Sequence, residues 1–262
     1  MTRIALGLEY DGAHFAGWQT QPDGSGIQDA VQCALRAFTG QKLPIVCAGR
    51  TDAGAHATGQ VVHLDSPVER DLVSWVRGVN RFLPRPVSVR WARAVPADFH
   101  ARFSARSRTY EYWILNDPVR SPLHELRAAW VYRPLDEGAM QSAATALLGR
   151  HDFSSFRSSQ CQAASPVREL HAFEVVRLGR SVRIRVVANA FLHHMVRNLV
   201  GTLVYVGLGR RPPQWAGEVL AARDRARAAP TLAACGLYLA RVEYDRALAL
   251  PLGADVELAC RS

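Results

Sequence analysis

IALGLEY, Ile4–Tyr10, alternates large apolar residues with small or polar ones at a period of two, which predicts a strand with one face buried. A Gly/Pro-rich loop follows. Ser25 and Gln28 then form a capping-box pattern ahead of Ile27, Val31, Leu35 and Phe38, which recur at helical spacing, and Gly40 supplies the stop. Residues 43–48 and 60–65 predict two further strands, residues 69–82 a helix ending before Pro84, and Val87, Val89 and Trp91 a fourth strand. The order is strand, helix, strand, strand, helix, strand.

The remaining chain repeats that order. Tyr110, Tyr112 and Ile114 alternate in a strand that ends at the Asn116-Asp117-Pro118 turn. Met140, Ala143, Ala144, Leu147 and Leu148 share a helical face, with Gly149 as the expected stop. Residues 168–178 and 181–188 read as a hairpin turning at Gly179, followed by a long helix over 191–206, a shorter one near 214–223 and a last strand over 236–244. Two βαββαβ units in tandem predict an α+β protein of two ferredoxin-like halves with mostly antiparallel sheets, divided as residues 1–105 and 106–262.

With 262 residues, 48% of them apolar, the chain can fill a real core, and no apolar run approaches the ~20 residues a bilayer crossing needs. Met1-Thr2-Arg3 runs straight into the first strand without the series of a secretory signal, so a soluble cytoplasmic protein is expected. The five cysteines are scattered and form no CxxC, which points to buried free thiols and away from a zinc ribbon or disulfide framework. Of 32 basic residues only Lys42 is a lysine, a ratio that a GC-rich coding bias produces. The net charge of +9 is more informative, because Arg81, Arg85, Arg90, Arg93, Arg102, Arg106 and Arg108 crowd one stretch, and arginine suits phosphate recognition.

Chemistry concentrates in two segments. GRTDAGAHATGQVVHL, Gly49–Leu64, joins two predicted strands and sets Arg50 and Asp52 among glycines and alanines that leave room for a bulky ligand; a turn-capping Asp52 is the competing reading. Asp52, His56, His63 and Asp65 also invite a metal-dependent hydrolase reading, but their spacing fits no zincin or facial-triad pattern, and His63 reads as a core or sheet-edge histidine. FLHHMVRNLVGTL, Phe191–Leu203, is placed on the long helix, where adjacent His193 and His194 cannot point the same way. Arg197, flanked by apolar residues, needs a carboxylate partner, either Asp52 or another acid.

These two blocks, together with LEYDGAHFAGWQTQP (Leu8–Pro22), FHARFSARSRTYEYW (Phe99–Trp113) and GRHDFSSFR (Gly149–Arg157), resemble the tRNA pseudouridine synthase A family from about residue 4 to residue 244. The resemblance implies the pseudouridine synthase fold and isomerisation of uridine to pseudouridine at positions 38, 39 and 40 in the tRNA anticodon stem-loop. It makes Asp52 the catalytic nucleophile and Tyr110 the residue that packs on the target base and helps remove a proton. Arg197 becomes the partner of the aspartate, Arg50 the residue entering the space left by the flipped nucleotide, and Leu237 a lining residue of the pocket. The family usually carries Ala-Pro shortly before GLYL (Gly236–Leu239), whereas Leu232-Ala233 stands here, which puts the backbone path into Leu237 in question. The resemblance further implies a homodimer, with no cofactor and no metal. The alternative is a non-catalytic module of the same fold that binds structured RNA.

Overall fold

A computed structural model describes residues 1–251 of the chain. They form two compact units: Met1–Ser107 with the described residues from Tyr238 onward, and Arg108–Leu237. Cys260 lies outside the described residues, as does the rest of the tail.

The first unit is built from β1 (Thr2–Tyr10), α1 (Ile27–Thr39), β2 (Val46–Cys47), β3 (His56–Ser66), α2 (Leu72–Asn80), β4 (Val87–Ala94) and β10 (Leu237–Glu243). Its sheet runs β4-β1-β3-β10, with β2 on β3. β1 pairs antiparallel with both β3 and β4, and β10 joins β3 in parallel, Tyr238 opposite His56. The alternation read in Ile4–Tyr10 holds for the larger side chains, since Ile4, Leu6, Leu8 and Tyr10 are all buried. α1 buries Ile27, Val31, Ala34 and Leu35 and ends at Gly40 in the left-handed region, φ +73°. Its start lies one residue beyond the expected cap. Gly26 is the N-cap and its N–H donates to the Asp29 carboxylate at 3.1 Å, while the Ser25 hydroxyl donates to Asp23 instead.

The second unit holds β5 (Ser107–Asn116), β6 (Ala129–Val131), α3 (Glu137–Thr145), β7 (Gly149–Asp152), β8 (Val167–Leu178), β9 (Ser181–Ala188), α4 (Met195–Gly207) and α5 (Trp215–Ala222). Its strands run β5-β9-β8-β7, all antiparallel, and short β6 lies parallel to β5. The strand expected to close the second half, β10, belongs from Tyr238 to the first unit, where its parallel register on β3 draws it. Gly149 opens β7 at φ +95° and does not stop α3, which ends at Thr145 with Ala146 as its C-cap. Every residue of α4 except Arg197 and Tyr205 is buried, so this helix is the core of its unit. Among the described residues no helix is long and apolar enough to cross a membrane.

The four described cysteines are free thiols, but none is fully buried: Cys33 is exposed and Cys47, Cys161 and Cys235 are half-buried. Burial still pushes the Cys47 thiol up to about 11. Of the seven crowded arginines six are exposed. Arg108 is buried because β5 turns it inward, where it donates to the Asn189 carbonyl at 2.9 Å.

Candidate active site

In the first unit the loop between β2 and β3 presents Arg50, exposed, and Asp52, half-buried. The loop backbone is fixed from below by Gln60, a fully buried β3 residue. Its Nε2 donates to the Gly49 carbonyl at 2.6 Å and to the Tyr10 hydroxyl at 3.4 Å, and its Oε1 accepts the Gly49 N–H at 3.4 Å. The Tyr10 hydroxyl in turn shares a hydrogen bond with Thr51 Oγ1, 2.8 Å away. Trp18 N–H donates to the Thr51 carbonyl at 3.0 Å, and the Ala55 N–H closes a turn on the Asp52 carbonyl at 3.1 Å, with Gly54 at φ +79°.

Two glycines far upstream hold the same loop by close approach. A Cβ on Gly12 would stand 1.9 Å from the Ala55 carbonyl oxygen. One on Gly17, itself at φ +90°, would stand 2.9 Å from the Thr51 oxygen and 3.0 Å from the Ala53 nitrogen. The chain on either side of Asp52 is therefore clamped by backbone that no other residue could bring so near. Gln60, Tyr10, Gly12 and Gly17 are the positions that residue-by-residue reading missed. Tyr10, Gly12 and Gly17 lie in the block LEYDGAHFAGWQTQP and Gln60 in GRTDAGAHATGQVVHL, and both blocks carried the resemblance without revealing this purpose.

The histidines of this unit serve its packing. His56 is buried, accepts the Gly12 N–H on Nδ1 at 3.1 Å and stacks on Tyr238 with ring centroids 4.6 Å apart. His63 is buried and accepts the Ala101 N–H on Nδ1 at 3.1 Å. Burial, helped by the neighbouring His100 ring and the Arg3 guanidinium, lowers its pKa to about 4, so the ring is neutral near pH 7. Asp65 takes both its oxygens to Arg3, at 2.8 and 2.7 Å. Three of the four residues of the metal-hydrolase reading are thus engaged in structural contacts, and His63 is the core histidine expected.

In the second unit Tyr110 lies on β5 opposite Val186, buried, its ring packed at right angles to that of Phe191 with centroids 5.0 Å apart and an interplanar angle of 82°. Arg197, half-buried on α4, donates from Nε to the Leu232 carbonyl at 2.7 Å, and the Leu232 N–H returns to the Arg197 carbonyl at 3.4 Å. The next residue, Ala233, accepts the Tyr112 hydroxyl at 2.6 Å. A Cβ on Gly236 would meet the Trp113 carbonyl oxygen at 2.6 Å. Leu232 through Gly236 is thus pinned at three points, which gives Leu237, 5% exposed, a defined backbone path despite the Leu232-Ala233 departure. Burial raises the Tyr112 phenol well above its ordinary range, so it remains a donor.

The two histidines of FLHHMVRNLVGTL are not helical. α4 begins at Met195, and His194 is its N-cap at φ +62°. The helical argument that kept the two rings apart therefore fails: their centroids are 4.0 Å apart. The sequence-predicted site residues are shared between the units, Arg50 and Asp52 in the first, Tyr110, Arg197 and Leu237 in the second.

The sequence matches the family described as tRNA pseudouridine synthase over residues 8–104 and 143–245. It is 58% identical over 253 residues to the "tRNA pseudouridine synthase A" of Herminiimonas arsenicoxydans, covering 95% of this chain and 92% of that one. The protein of the same name from Ralstonia nicotianae is 58% identical over 255 residues, covering 96% and 93%. That of Bordetella petrii is 59% identical over 246 residues, covering 93% and 92%.

Proposed function

Because the chain belongs to the tRNA pseudouridine synthase family, we propose that it isomerises uridine to pseudouridine in tRNA, at positions 38, 39 and 40 of the anticodon stem-loop. The observation that carries this reading is near full-length identity above one half to relatives that bear that name. The C1′–N1 bond breaks, the uracil turns, and C5 joins C1′; C5 then loses a proton and N1 gains one. Nothing is oxidised and no group leaves, so the chemistry calls for neither cofactor nor metal.

Asp52 is the nucleophile in this reading, presented by a loop whose backbone is clamped on both sides. A rigid mount matters because a carboxylate misplaced by about 1 Å can lose ~100-fold in rate. The target base must leave the stem at a cost of a few kcal/mol, offset by packing on Tyr110 and by exposed Arg50 entering the gap. A tyrosine offers both an apolar face and a hydroxyl for proton removal. Arg197 spends its Nε on Leu232, which orients the guanidinium plane, and its Nη groups are the part assigned to the aspartate. Leu237 lines the base pocket from the pinned segment. The exposed arginines of residues 81–106 supply sequence-independent attraction to the phosphates. A cytoplasmic homodimer completes the reading.

The test is Asp52→Asn with one purified tRNA, reading pseudouridine by mass mapping and tRNA affinity separately. Pseudouridine formation is expected to vanish while affinity stays within about twofold of the parent. Normal turnover by the variant would remove Asp52 from the chemistry. A wild-type protein that binds tRNA without modifying it would leave only the RNA-binding module. Loss of activity in EDTA would favour the metal reading.

A further inference from the structure

A cavity of about 450 Å³ opens in the second unit where α4 begins, with Arg157, Ser158, Ser159, His194 and Arg225 in its wall. That size lies within the range of small-ligand sites, ~300–1,000 Å³. Its two arginines come from separate stretches of chain: Arg157 follows the 3₁₀ turn Ser154–Phe156, and Arg225 opens the turn Arg225–Arg227.

Both guanidinium groups are partly buried, and none of their hydrogen bonds goes to a carboxylate; Arg157 also bonds the Cys161 thiol, whose pKa its charge helps to lower against burial. Arg157 Nη2 donates to the carbonyls of Cys161 and Ala163 at 2.5 and 2.9 Å. Arg225 Nη2 donates to Asn198 Oδ1 at 3.1 Å and Thr231 Oγ1 at 3.0 Å, and its Nη1 to the Ala228 carbonyl at 3.4 Å. Asn198, fully buried, is itself held by donating to the Phe156 carbonyl at 2.8 Å, so the platform under Arg225 is rigid. Among the described residues neither arginine has an ion pair. Asp152, which feels the charge of Arg157, spends its oxygens on Ser154, at 2.6 and 2.9 Å, and on Arg223 at 3.8 Å. Burial alone draws the Arg225 pKa below its ordinary value, as expected for a cation without an acid beside it.

Two oriented, partly desolvated cations facing one hollow leave a positive charge that the fold does not neutralise. Planar guanidinium groups match the oxygens of a phosphate, and the hydroxyls of Ser158 and Ser159 add donors for the same oxygens. The wall carries no aromatic ring other than His194 and no aliphatic side chain, so it favours a phosphate and its sugar over a stacked base. We propose that this cavity seats a phosphodiester of the bound RNA, gripped by Arg157 and Arg225. The assignment rests on the tRNA reading above and adds to it a fixed anchor point for the backbone.

The experiment measures tRNA affinity between about 50 and 200 mM salt for Arg157→Gln and Arg225→Gln. Each is expected to weaken binding about 5- to 10-fold and to flatten the dependence of log K on log salt by ~0.7–0.9, with lysine at the same position restoring the slope. Ser159→Asp, at an exposed position on the rim, tests the same charge without disturbing the fold and is expected to weaken binding by a similar factor. Unchanged affinity and slope in all three would overturn the proposal. So would tight binding of inorganic phosphate alone, seen as a thermal shift that Arg225→Gln abolishes, because the hollow would then be a free-anion site. Pseudouridine yield of the unmutated protein at saturating tRNA is read alongside: an inert parent protein would refute the isomerase reading, while the salt slopes would still decide the cavity.

Discussion

Gln60→Met keeps an unbranched buried side chain of similar length and removes both hydrogen-bonding ends of the residue under the Asp52 loop. The Gly49 carbonyl loses its 2.6 Å donor, and its N–H loses a weaker partner at 3.4 Å. An unsatisfied buried group costs about 1–3 kcal/mol, and Gly49 is only half-buried, so water recovers part of that. A net loss of about 1–2 kcal/mol follows, or roughly 2–8 °C in Tm for a chain of this size. The larger effect is on the loop, because a shift of about 1 Å at Asp52 lowers kcat by ~10- to 100-fold. Gln60 is fully buried and cannot touch RNA, so tRNA affinity should stay within about twofold. Gln60→Glu should be worse than methionine, since it sets a carboxylate oxygen against the Gly49 carbonyl where a donor stood. Single-turnover pseudouridine formation, filter binding and a melting curve on the same preparations give the three readings. A lower Tm with unchanged kcat would refute the idea that Gln60 positions the loop, as would a loss of affinity as large as the loss of rate.

Tyr112→Phe removes the 2.6 Å bond that ties Ala233 beneath the path to Leu237, and a cost of about 1–2 kcal/mol is expected in urea unfolding. Because burial keeps that phenol protonated, the cost should be the same at pH 7 and pH 9. His63 titrates at about 4 in the fold against an ordinary 6.5, so its neutral form is favoured by folding. That contribution is fully present above pH 6.5 and is lost as pH falls toward 4, the loss reaching about 2 kcal/mol by pH 5. His63→Gln, which keeps an acceptor for the Ala101 N–H, should flatten the fall in stability between pH 7 and pH 5; an unchanged slope would show that the ring is not desolvated.

What could be read from the sequence was set by periodicity, and what could not was set by single backbone choices. The alternation in Ile4–Tyr10 and the spacing of Ile27, Val31 and Leu35 report burial directly, and those elements lie where expected. The strand expected over residues 43–48 shrinks to Val46–Cys47 because Pro44 has no N–H to give to a ladder, although Leu43 and Ile45 are buried. β6 and β7, three and four residues long, are too short to show a period. The start of α4 was missed because His194 takes a left-handed conformation rare outside glycine, and no neighbour in the sequence signals it. The membership of β10 was hidden for a different reason: parallel pairing with β3, some 180 residues away, leaves no local pattern.

For the site, residue types were legible and their mounting was not. Asp52 stood out because a lone carboxylate among glycines and alanines is chemically conspicuous, and Arg197 because a guanidinium among apolar residues must be paired. The devices that fix them act on backbone: Gln60 on Gly49, Gly12 and Gly17 on the chain around Asp52, Arg197 on Leu232, Tyr112 on Ala233. Each joins positions 11 to 121 residues apart, and each uses a side chain, or the lack of one, that looks ordinary where it stands. Arg197 shows why this matters. Its Nε is spent on a carbonyl, so the residue organises the segment leading to Leu237 as well as offering charge. Its loss should therefore disturb a backbone that a simple ion-pair reading leaves untouched.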